Sequence, residues 1–219
     1  MVDLPLDGQT VYKQRSAHLG MGKESSVTTS VYPIVLDFPQ GLVVAPNLKY
    51  LLQRGILQGS DEKHINQSTV DVTLGQEIMV ERPSRGGRVC LRDREAVPMD
   101  NVIIGPDGYE LRPGQFILAA TEEVFNMPHC LSAQYHTKSS MGRIGLEHMN
   151  AGWCDPGWHG RLTLEFKNML ENSSILLHRG DRIGQVEFIH HRPIPEEQSY
   201  ARLGAYQDVL SVSGSRKRE

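Results

Sequence analysis

The chain has 219 residues, with 23 Lys and Arg against 26 Asp and Glu, so its formal net charge is −3. Hydrophobic residues make up 39% of the sequence, and the 21 glycines bring the apolar content close to that of an average folded protein. The near-neutral charge, without a basic block, excludes a general nucleic-acid-binding surface, and no apolar run reaches the roughly 18 residues of a membrane-spanning helix. We therefore expect a folded protein with neither nucleic acid nor membrane among its partners.

The first residues and the cysteines indicate a compartment. The sequence MVDLPLDGQT carries charge and proline where a signal peptide is apolar. Cys90, Cys130 and Cys154 are odd in number and lack CxxC spacing, which is typical of reduced thiols. Both features predict a cytoplasmic protein.

Three segments of different character follow one another along the chain. Residues 1–45 contain a Ser/Thr run and scattered prolines, and they predict an N-terminal extension of unknown role. Residues 46–192 carry the regular patterns of a folded domain. Residues 193–219 are polar and predict a mobile C-terminal tail. Within the domain, residues 83–109 hold four glycines and three prolines, which predict an irregular excursion between two strands.

The domain starts with a predicted helix and continues as predicted strands. Over residues 46–57 leucines recur at helical spacing, Asn47 is placed to cap the helix, and Gly55 lies near its end. The pattern then changes to alternation in short segments rich in β-branched residues, which favours a mainly β sandwich or barrel with one or two short helices. The predicted strands lie within residues 68–75, 114–121, 131–136, 160–168, 173–178 and 182–191.

Residues 138–143 are the first segment whose composition suggests chemistry. Lys138, Ser139, Ser140 and Arg143 place two cations and two hydroxyls within six residues at the end of a predicted strand. Backbone N–H groups in such a turn, flanked by cations and hydroxyls, suit phosphate oxygens. The alternative is a capped turn with solvated Lys and Arg side chains.

Two carboxylates further along have both a structural and a functional interpretation. Asp155-Pro156-Gly157 is a typical turn sequence, yet a carboxylate between Trp153 and Trp158 could also accept a sugar hydroxyl. Residues 162–166 alternate, so the apolar side chains share one face of a strand and Glu165 lies on the other. A carboxylate desolvated in a barrel or at a subunit contact has a raised pKa that suits proton transfer, whereas on an open face it is simply solvated.

Other familiar kinds of site are missing from the sequence. The nine histidines do not form HxxxH, and H-x-E is not followed by P-C-x-x-C, so we expect no protein-bound catalytic zinc. Neither a GxxxxGK[ST] loop nor a GxGxxG fingerprint is present. Cys154 has no activating histidine pattern that would distinguish it from a buried packing thiol.

Several of these segments occur in an order that resembles one family. The sequences INQSTVDVTLGQEI, HTKSSMGRIGL, AGWCDPGWHGRLTLEF and RIGQVEF, preceded by the helix LKYLLQRGILQGS, resemble the deoxycytidine triphosphate deaminase branch of the trimeric dUTPase-like superfamily. The resemblance covers about residues 47–190. The joint occurrence of KSSxGRxGL, AGxxDPGW and LEF in this order is far more specific than any one of these motifs.

The resemblance implies a fold, an assembly and a reaction. The subunit is a distorted, jelly-roll-like β-barrel of the dUTPase type, and three active sites lie at the subunit contacts of a homotrimer. The reaction is hydrolytic deamination of dCTP to dUTP and ammonia. By position, Glu165 matches the general base, and Ser139 and Arg143 match the residues that order the attacking water and the base. Magnesium enters only as a partner of the triphosphate.

The resemblance also implies which residues bind each part of the nucleotide. Lys138, Ser140 and Gln185 match phosphate contacts. Asp155 matches the residue that holds the deoxyribose 3′-hydroxyl, and backbone groups of residues 151–154 match those that recognise the pyrimidine. The implied substrate-binding set is Lys138, Ser140, Ala151, Trp153, Cys154, Asp155, Gln185 and Tyr206.

Two departures from the family pattern keep other functions open. Asn150 stands where the family usually has Thr, and the C-terminal Lys-Tyr-x-x-Gln pattern is reduced here to Tyr206. One alternative is a dUTP diphosphatase or a bifunctional enzyme, although Trp158 replaces the diphosphatase's tyrosine and its Gly-rich C-terminal loop is missing. Another is a catalytically silent nucleotide-binding regulator, which would not need Ser139, Arg143 and Glu165 together.

Overall fold

The computed structural model describes residues 36–82, 88–92 and 97–216. The chain divides into two units, Met1–Asp37 and Phe38–Glu219. Most of the predicted N-terminal extension, residues 1–45, lies outside the described residues. All the elements named below belong to the second unit.

The described residues form a mainly β fold, as predicted, with three short helices where one or two were expected. The helices are α1 (Asn47–Gln53), α2 (Ser139–Arg143) and α3 (Tyr200–Leu203), and two 3₁₀ turns span Glu62–His64 and Glu196–Gln198. The strands are β1 (Gly41–Leu42), β2 (Leu57–Gln58), β3 (Val70–Glu81), β4 (Met99–Ile103), β5 (Tyr109–Leu111), β6 (Phe116–Thr121), β7 (Val124–Asn126), β8 (Leu131–Thr137), β9 (Leu146–His148), β10 (Trp153–Cys154), β11 (His159–Gly160), β12 (Thr163–Asn168), β13 (Ile175–Leu177) and β14 (Arg182–His190).

Helix α1 confirms the predicted helix but is shorter than expected. Leu48 and Leu51 are buried, which explains the helical spacing of the leucines. Asn47 is the first helical residue and not the cap, because the N-cap position is occupied by Pro46. The helix stops before Gly55, whose φ of 71° is unfavourable in a helix for residues with a side chain.

The strands build one large antiparallel sheet and two small ones. The large sheet runs β10-β8-β14-β3-β6-β12-β9, with β1 added to β14 and β4 added to β3. The small sheets are β11-β7-β2 and β13-β5. The ring of His148 in β9 lies 4.6 Å from that of Tyr135 in β8, near the other end of the large sheet. The sheet therefore curls until its two ends approach, as in a barrel.

Strand β12 has the two faces that its sequence predicted. Leu164 and Phe166 are buried in the barrel core, whereas Thr163 and Glu165 are partly exposed. The strand lies between β6 and β9, so both its edges are paired. Glu165 is thus held on a strand whose backbone is fixed from both sides.

The two segments predicted to be irregular are more regular than expected. Within residues 83–109, β4 pairs along β3 from Met99 to Ile103, so this part of the segment is a regular strand. Residues 83–87 and 93–96 lie outside those described. In the predicted mobile tail, Val209 forms a parallel bridge with Gly160, and Val209 and Val212 are buried. These valines anchor the otherwise polar segment by burying apolar surface.

No helix among residues 36–82, 88–92 and 97–216 is both long and apolar enough to cross a membrane.

Candidate functional site

Glu165 lies beside a buried histidine. Its side chain is 28% exposed, and its Oε2 atom lies 3.4 Å from Nε2 of His148, whose side chain is only 2% exposed. Both atoms are buried and neither forms a hydrogen bond within the described part of the chain. The contact is close enough for an ion pair but is not aligned as a hydrogen bond. The predicted general base therefore has an oxygen with unused acceptor capacity.

A second buried carboxylate, Asp71 in β3, has the opposite surroundings. Lys138 donates to both of its oxygens at 2.7 Å, and Asn66 donates to Oδ1 at 2.8 Å. Nη1 of Arg182 lies 3.4 Å from Oδ2. Strands β3 and β8 both flank β14, so Lys138, just after the end of β8, reaches across to Asp71. The carboxylate holds this ammonium group, which is 24% exposed, in a defined position.

Gln185 belongs to the same cluster as Lys138. It pairs with Asp71 in the register of β14 and β3. Its side-chain oxygen accepts a hydrogen bond from the Thr69 hydroxyl at 3.1 Å, and Asn66 donates to that hydroxyl at 3.2 Å. Two residues predicted to contact phosphates are thereby brought together.

The remaining residues of the KSSxGR motif form a single helical turn and not an open turn. The Lys138 carbonyl accepts the N–H groups of Met141 and Gly142 at 2.8 and 3.1 Å. Ser139, Ser140 and Arg143 are exposed, and within the described residues their side chains have no hydrogen-bond or ion-pair partner. They are available to a ligand or to another subunit.

The Asp155 segment is a turn, and it also presents polar groups. Pro156 and Gly157, with φ of 82°, form the turn, and the Trp158 N–H returns to the Asp155 carbonyl at 3.2 Å. The Asp155 side chain accepts a hydrogen bond from Nε1 of the half-exposed Trp153 at 3.0 Å. Ala151 is exposed next to them. The geometry satisfies the turn interpretation, and Ala151 and Trp153 are exposed beside the Asp155 carboxylate.

Cys154 is a buried thiol. Its side chain is 1% exposed, and burial raises the pKa of the thiol far above its ordinary value. The cysteine side chain is therefore in no position to react. Any part that residue 154 plays in binding falls to its backbone.

Tyr206 and its neighbours fasten the C-terminal segment beside this loop. Nε1 of Trp158 donates to the Tyr206 carbonyl at 3.0 Å, and Gln207 donates to the Gly157 carbonyl at 3.3 Å. The Tyr206 hydroxyl accepts the backbone N–H of Arg216 at 2.9 Å. Sequence reasoning retained Tyr206 but missed this attachment, because the partners Trp158 and Gly157 lie 48 and 50 positions from the residues they bind.

The structure groups the predicted residues into separate clusters. Lys138 joins Gln185, and Trp153 joins Asp155. Within the described residues, however, no hydrogen bond or ion pair links Glu165 to Ser139 or Arg143.

Sequence reasoning missed two residues of these clusters, Asp71 and His148. An aspartate at a buried position of a regular β-strand, as in VDVTL, is a signal that could have found Asp71. His148 is one of nine histidines, and its sequence neighbours do not distinguish it.

The described residues offer no group of three or more His, Cys, Asp or Glu side chains that could hold a metal ion. Asp71 is the best-placed carboxylate in the predicted phosphate region, but Lys138 and Asn66 already occupy its oxygens. The residues present therefore do not fit a protein-bound magnesium site.

Comparisons with known proteins agree with these motifs. A model of the dCTP deaminase-like family matches residues 43–191. A protein of Methanobrevibacter smithii named dCTP deaminase, dUMP-forming, is 36% identical over 164 residues, which covers 71% of this chain and 83% of that protein. A Corynebacterium efficiens protein of the same name is 38% identical over 145 residues, covering 64% and 74%.

A solved structure supports the fold. The 2′-deoxycytidine 5′-triphosphate deaminase of Agrobacterium tumefaciens superposes with a TM-score of 0.55 at 23% sequence identity. The match covers 75% of this chain and about half (52%) of the solved chain. At this identity the likeness concerns the arrangement of the strands alone.

Proposed function

Because the chain belongs to the dCTP deaminase-like family, we propose that it deaminates dCTP hydrolytically, with Glu165 as the general base. Its relatives are named for this reaction. The observation that carries the assignment is that the Glu165 carboxylate accepts no hydrogen bond within the described residues, on a strand fixed at both edges. A carboxylate without a hydrogen-bond donor or aligned cation keeps its capacity to accept a proton.

The proposed reaction needs one water and one proton shuttle. Glu165 takes a proton from water, and the resulting hydroxide attacks C4 of the cytosine. The protonated carboxyl group then delivers the proton to the amino group, which leaves as ammonia. The overall reaction converts dCTP and water to dUTP and ammonia. Ser139 and Arg143 order the water and the base in this proposal, and their unpaired side chains are compatible with that role.

The other clusters are assigned to parts of the nucleotide. Lys138, aimed by Asp71, contacts the triphosphate together with Ser140 and Gln185. Magnesium arrives bound to the triphosphate and not in a site built by the protein. Lys138 and Gln185 support this assignment because they already lie in one hydrogen-bonded cluster.

The base and the sugar fall to the loop around Asp155. Asp155 accepts the 3′-hydroxyl, and backbone groups from Ala151 to Cys154 recognise the pyrimidine. Tyr206 closes the loop from the C-terminal side. The burial of the Cys154 thiol is consistent with a role for its backbone alone.

We propose that the functional unit is a homotrimer with sites shared between subunits. Within the described residues Ser139 and Arg143 form no hydrogen bond or ion pair with Glu165, which supports sharing. The test mixes two inactive variants, Glu165→Gln and Arg143→Ala, after mild dissociation. Recovery of activity in the mixture, with light scattering at three times 24.5 kDa, is the expected result. A stable active monomer, or a mixture as inactive as its parts, would refute shared sites.

The names of the relatives favour a second activity. Both end in dUMP-forming, so a bifunctional enzyme would release pyrophosphate from dUTP after deamination. The main expectation from the sequence ended at dUTP, with the bifunctional enzyme as an alternative. We propose the second step as the alternative, with dUMP, ammonia and pyrophosphate as products.

The function is tested with the pure protein and four nucleotides: dCTP, dCMP, CTP and dUTP. Ammonia and pyrophosphate are measured together in each reaction. Ammonia from dCTP alone indicates a deaminase, and equal ammonia and pyrophosphate indicate the bifunctional enzyme. Pyrophosphate from dUTP without any ammonia would make the protein a diphosphatase. Binding of dCTP with no product would make it a silent regulator.

A further inference from the structure

His148 and Glu165 share an arrangement that folding alone does not require. The Nε2 atom of His148 and the Oε2 atom of Glu165 are both buried, both lack a hydrogen bond, and lie 3.4 Å apart. Burying a polar group without a hydrogen bond is unfavourable for folding. Two such atoms facing each other therefore indicate a pair whose alignment is completed in the working state of the site.

The imidazole ring of His148 is fixed by its neighbours. Tyr135 and Phe166 pack edge-on against it, with ring centroids 4.6 and 5.8 Å away. Its backbone is paired with that of Phe166 across β9 and β12. The ring cannot turn to water without opening this packing, so Nε2 stays directed at Glu165.

Competing titratable groups around the ring are few. The hydroxyl group of Tyr135 in β8 does not donate to Glu165, because it donates to the Ile183 carbonyl at 3.0 Å. From β12, Glu165 provides the charged group against the ring. A proton on Nε2 is thus placed to interact with the Glu165 carboxylate.

We propose that His148 is a positioning residue for Glu165, an inference that rests on the proposed role of Glu165 as the general base. The Nε2–H group holds Oε2, which fixes the carboxylate plane and leaves Oε1 to receive the proton from water. Hydrogen bonds at active sites without ligand are often long and poorly aligned and shorten when substrate binds. The 3.4 Å contact corresponds to this state.

Two substitutions of similar polarity separate positioning from packing. The amide nitrogen of His148→Gln lies near the position of the imidazole Nε2, so this variant keeps a donor towards Glu165. The amide nitrogen of His148→Asn lies near Nδ1 and does not reach Glu165. We expect the Gln variant to keep kcat within a few-fold, and the Asn variant to lose up to about 100-fold in kcat with little change in KM.

Thermal melting of both variants checks that each is folded. An equal loss of kcat in the two variants would overturn the proposal, because packing and not the donor would then matter. A wild-type kcat in His148→Asn, or a change confined to KM, would overturn it as well.

A readout that needs no activity separates this proposal from the proposed function. Nitrogen-15 NMR of the histidines, with His148 assigned from the spectrum of His148→Gln, reports the tautomer of its imidazole. We expect the Nε2–H tautomer in the wild type and a shifted Nε2 resonance in Glu165→Gln, because the carboxylate that this N–H group faces is gone. An identical Nε2 resonance in both proteins would overturn the pair. If the wild-type protein releases no ammonia from dCTP, the deaminase function is refuted. The NMR experiment still tests whether His148 donates to Glu165.

Discussion

Asp71 and Glu165 are carboxylates of the same large sheet, separated by strand β6, and their surroundings are opposite. The side chain of Asp71 is 2% exposed, and its oxygens accept three short hydrogen bonds from Lys138 and Asn66. The side chain of Glu165 is 28% exposed, and its Oε2 atom accepts none within the described residues.

The difference separates two uses of a carboxylate. The oxygens of Asp71 already accept hydrogen bonds from an ammonium group and an amide, so Asp71 acts as a fixed countercharge that positions Lys138. Glu165 keeps its capacity for a proton. Hydrogen bonding, together with the deeper burial of Asp71, therefore distinguishes the roles of the two carboxylates.

The largest effect is expected for Glu165→Gln. The amide keeps the size of the side chain but cannot accept a proton from water, so turnover of dCTP falls about 10²–10⁴-fold or more. Nucleotide affinity, measured by calorimetry, stays within a few-fold of wild type. A variant that keeps most of its turnover would remove Glu165 from the reaction.

The substitution Asp71→Asn tests the other carboxylate. It leaves the ammonium group of Lys138 without its countercharge, and we expect a loss of about 1–3 kcal/mol in unfolding free energy together with a higher KM. The control is Asp100→Asn, which breaks an exposed ion pair with Arg82 and leaves the melting temperature unchanged within error. Equal destabilisation by both substitutions would mean that the Asp71 cluster has no special importance.

Lys138 and Arg143 are two cations of one motif with different proposed roles. Lys138 binds the triphosphate, and Arg143 orders the attacking water and the general base. Lys138→Ala removes a point charge near the triphosphate, so it mainly raises KM, and salt reduces the difference from wild type. Arg143→Lys keeps the charge but loses the planar fork, so it lowers kcat. Steady-state kinetics at low and high salt decide between these roles. A wild-type kcat for Arg143→Lys would favour the alternative that the motif is a capped turn with solvated Lys and Arg side chains.

The smallest effect concerns a third buried carboxylate, Glu123, which accepts the N–H and hydroxyl groups of Thr73 without a cation. Burial raises the pKa of Glu123, and the bonds from Thr73 oppose the shift only in part. Such a group favours the folded state below its unfolded pKa, and this contribution is lost as pH rises through the folded pKa. The stability of Glu123→Gln relative to wild type should therefore increase from about pH 4 to pH 7. Parallel curves of unfolding free energy against pH would show that Glu123 is not desolvated.

Patterns that depend on neighbours in sequence were predicted well. The alternation in residues 162–166 places Glu165 on the less buried face of β12, and the leucine spacing of α1 places Leu48 in the core. The order of the motifs identified the family before any geometry was available. Each of these signals reflects local periodicity or residues close together in the chain.

Contacts between distant segments could not be predicted. Lys138 and Asp71 are 67 positions apart, and the attachment of Tyr206 to Trp158 spans 48. The polar composition of residues 193–219 predicted a mobile tail, since composition does not show that Val209 finds a partner in Gly160. His148 could be recognised only once strand pairing had set it beside Glu165.

We propose that water activated at Glu165 replaces the amino group of cytosine, and an isotope experiment follows the oxygen atom of that water. The protein is incubated with dCTP in H₂¹⁸O, and the product is fragmented in a mass spectrometer to separate base from phosphates. We expect a uracil base that carries one ¹⁸O, with release of ammonia, and no labelled base from Glu165→Gln. Any further label in a phosphate group reports the second, pyrophosphate-releasing step. A cytosine base that remains intact while label enters the phosphates would contradict the claim.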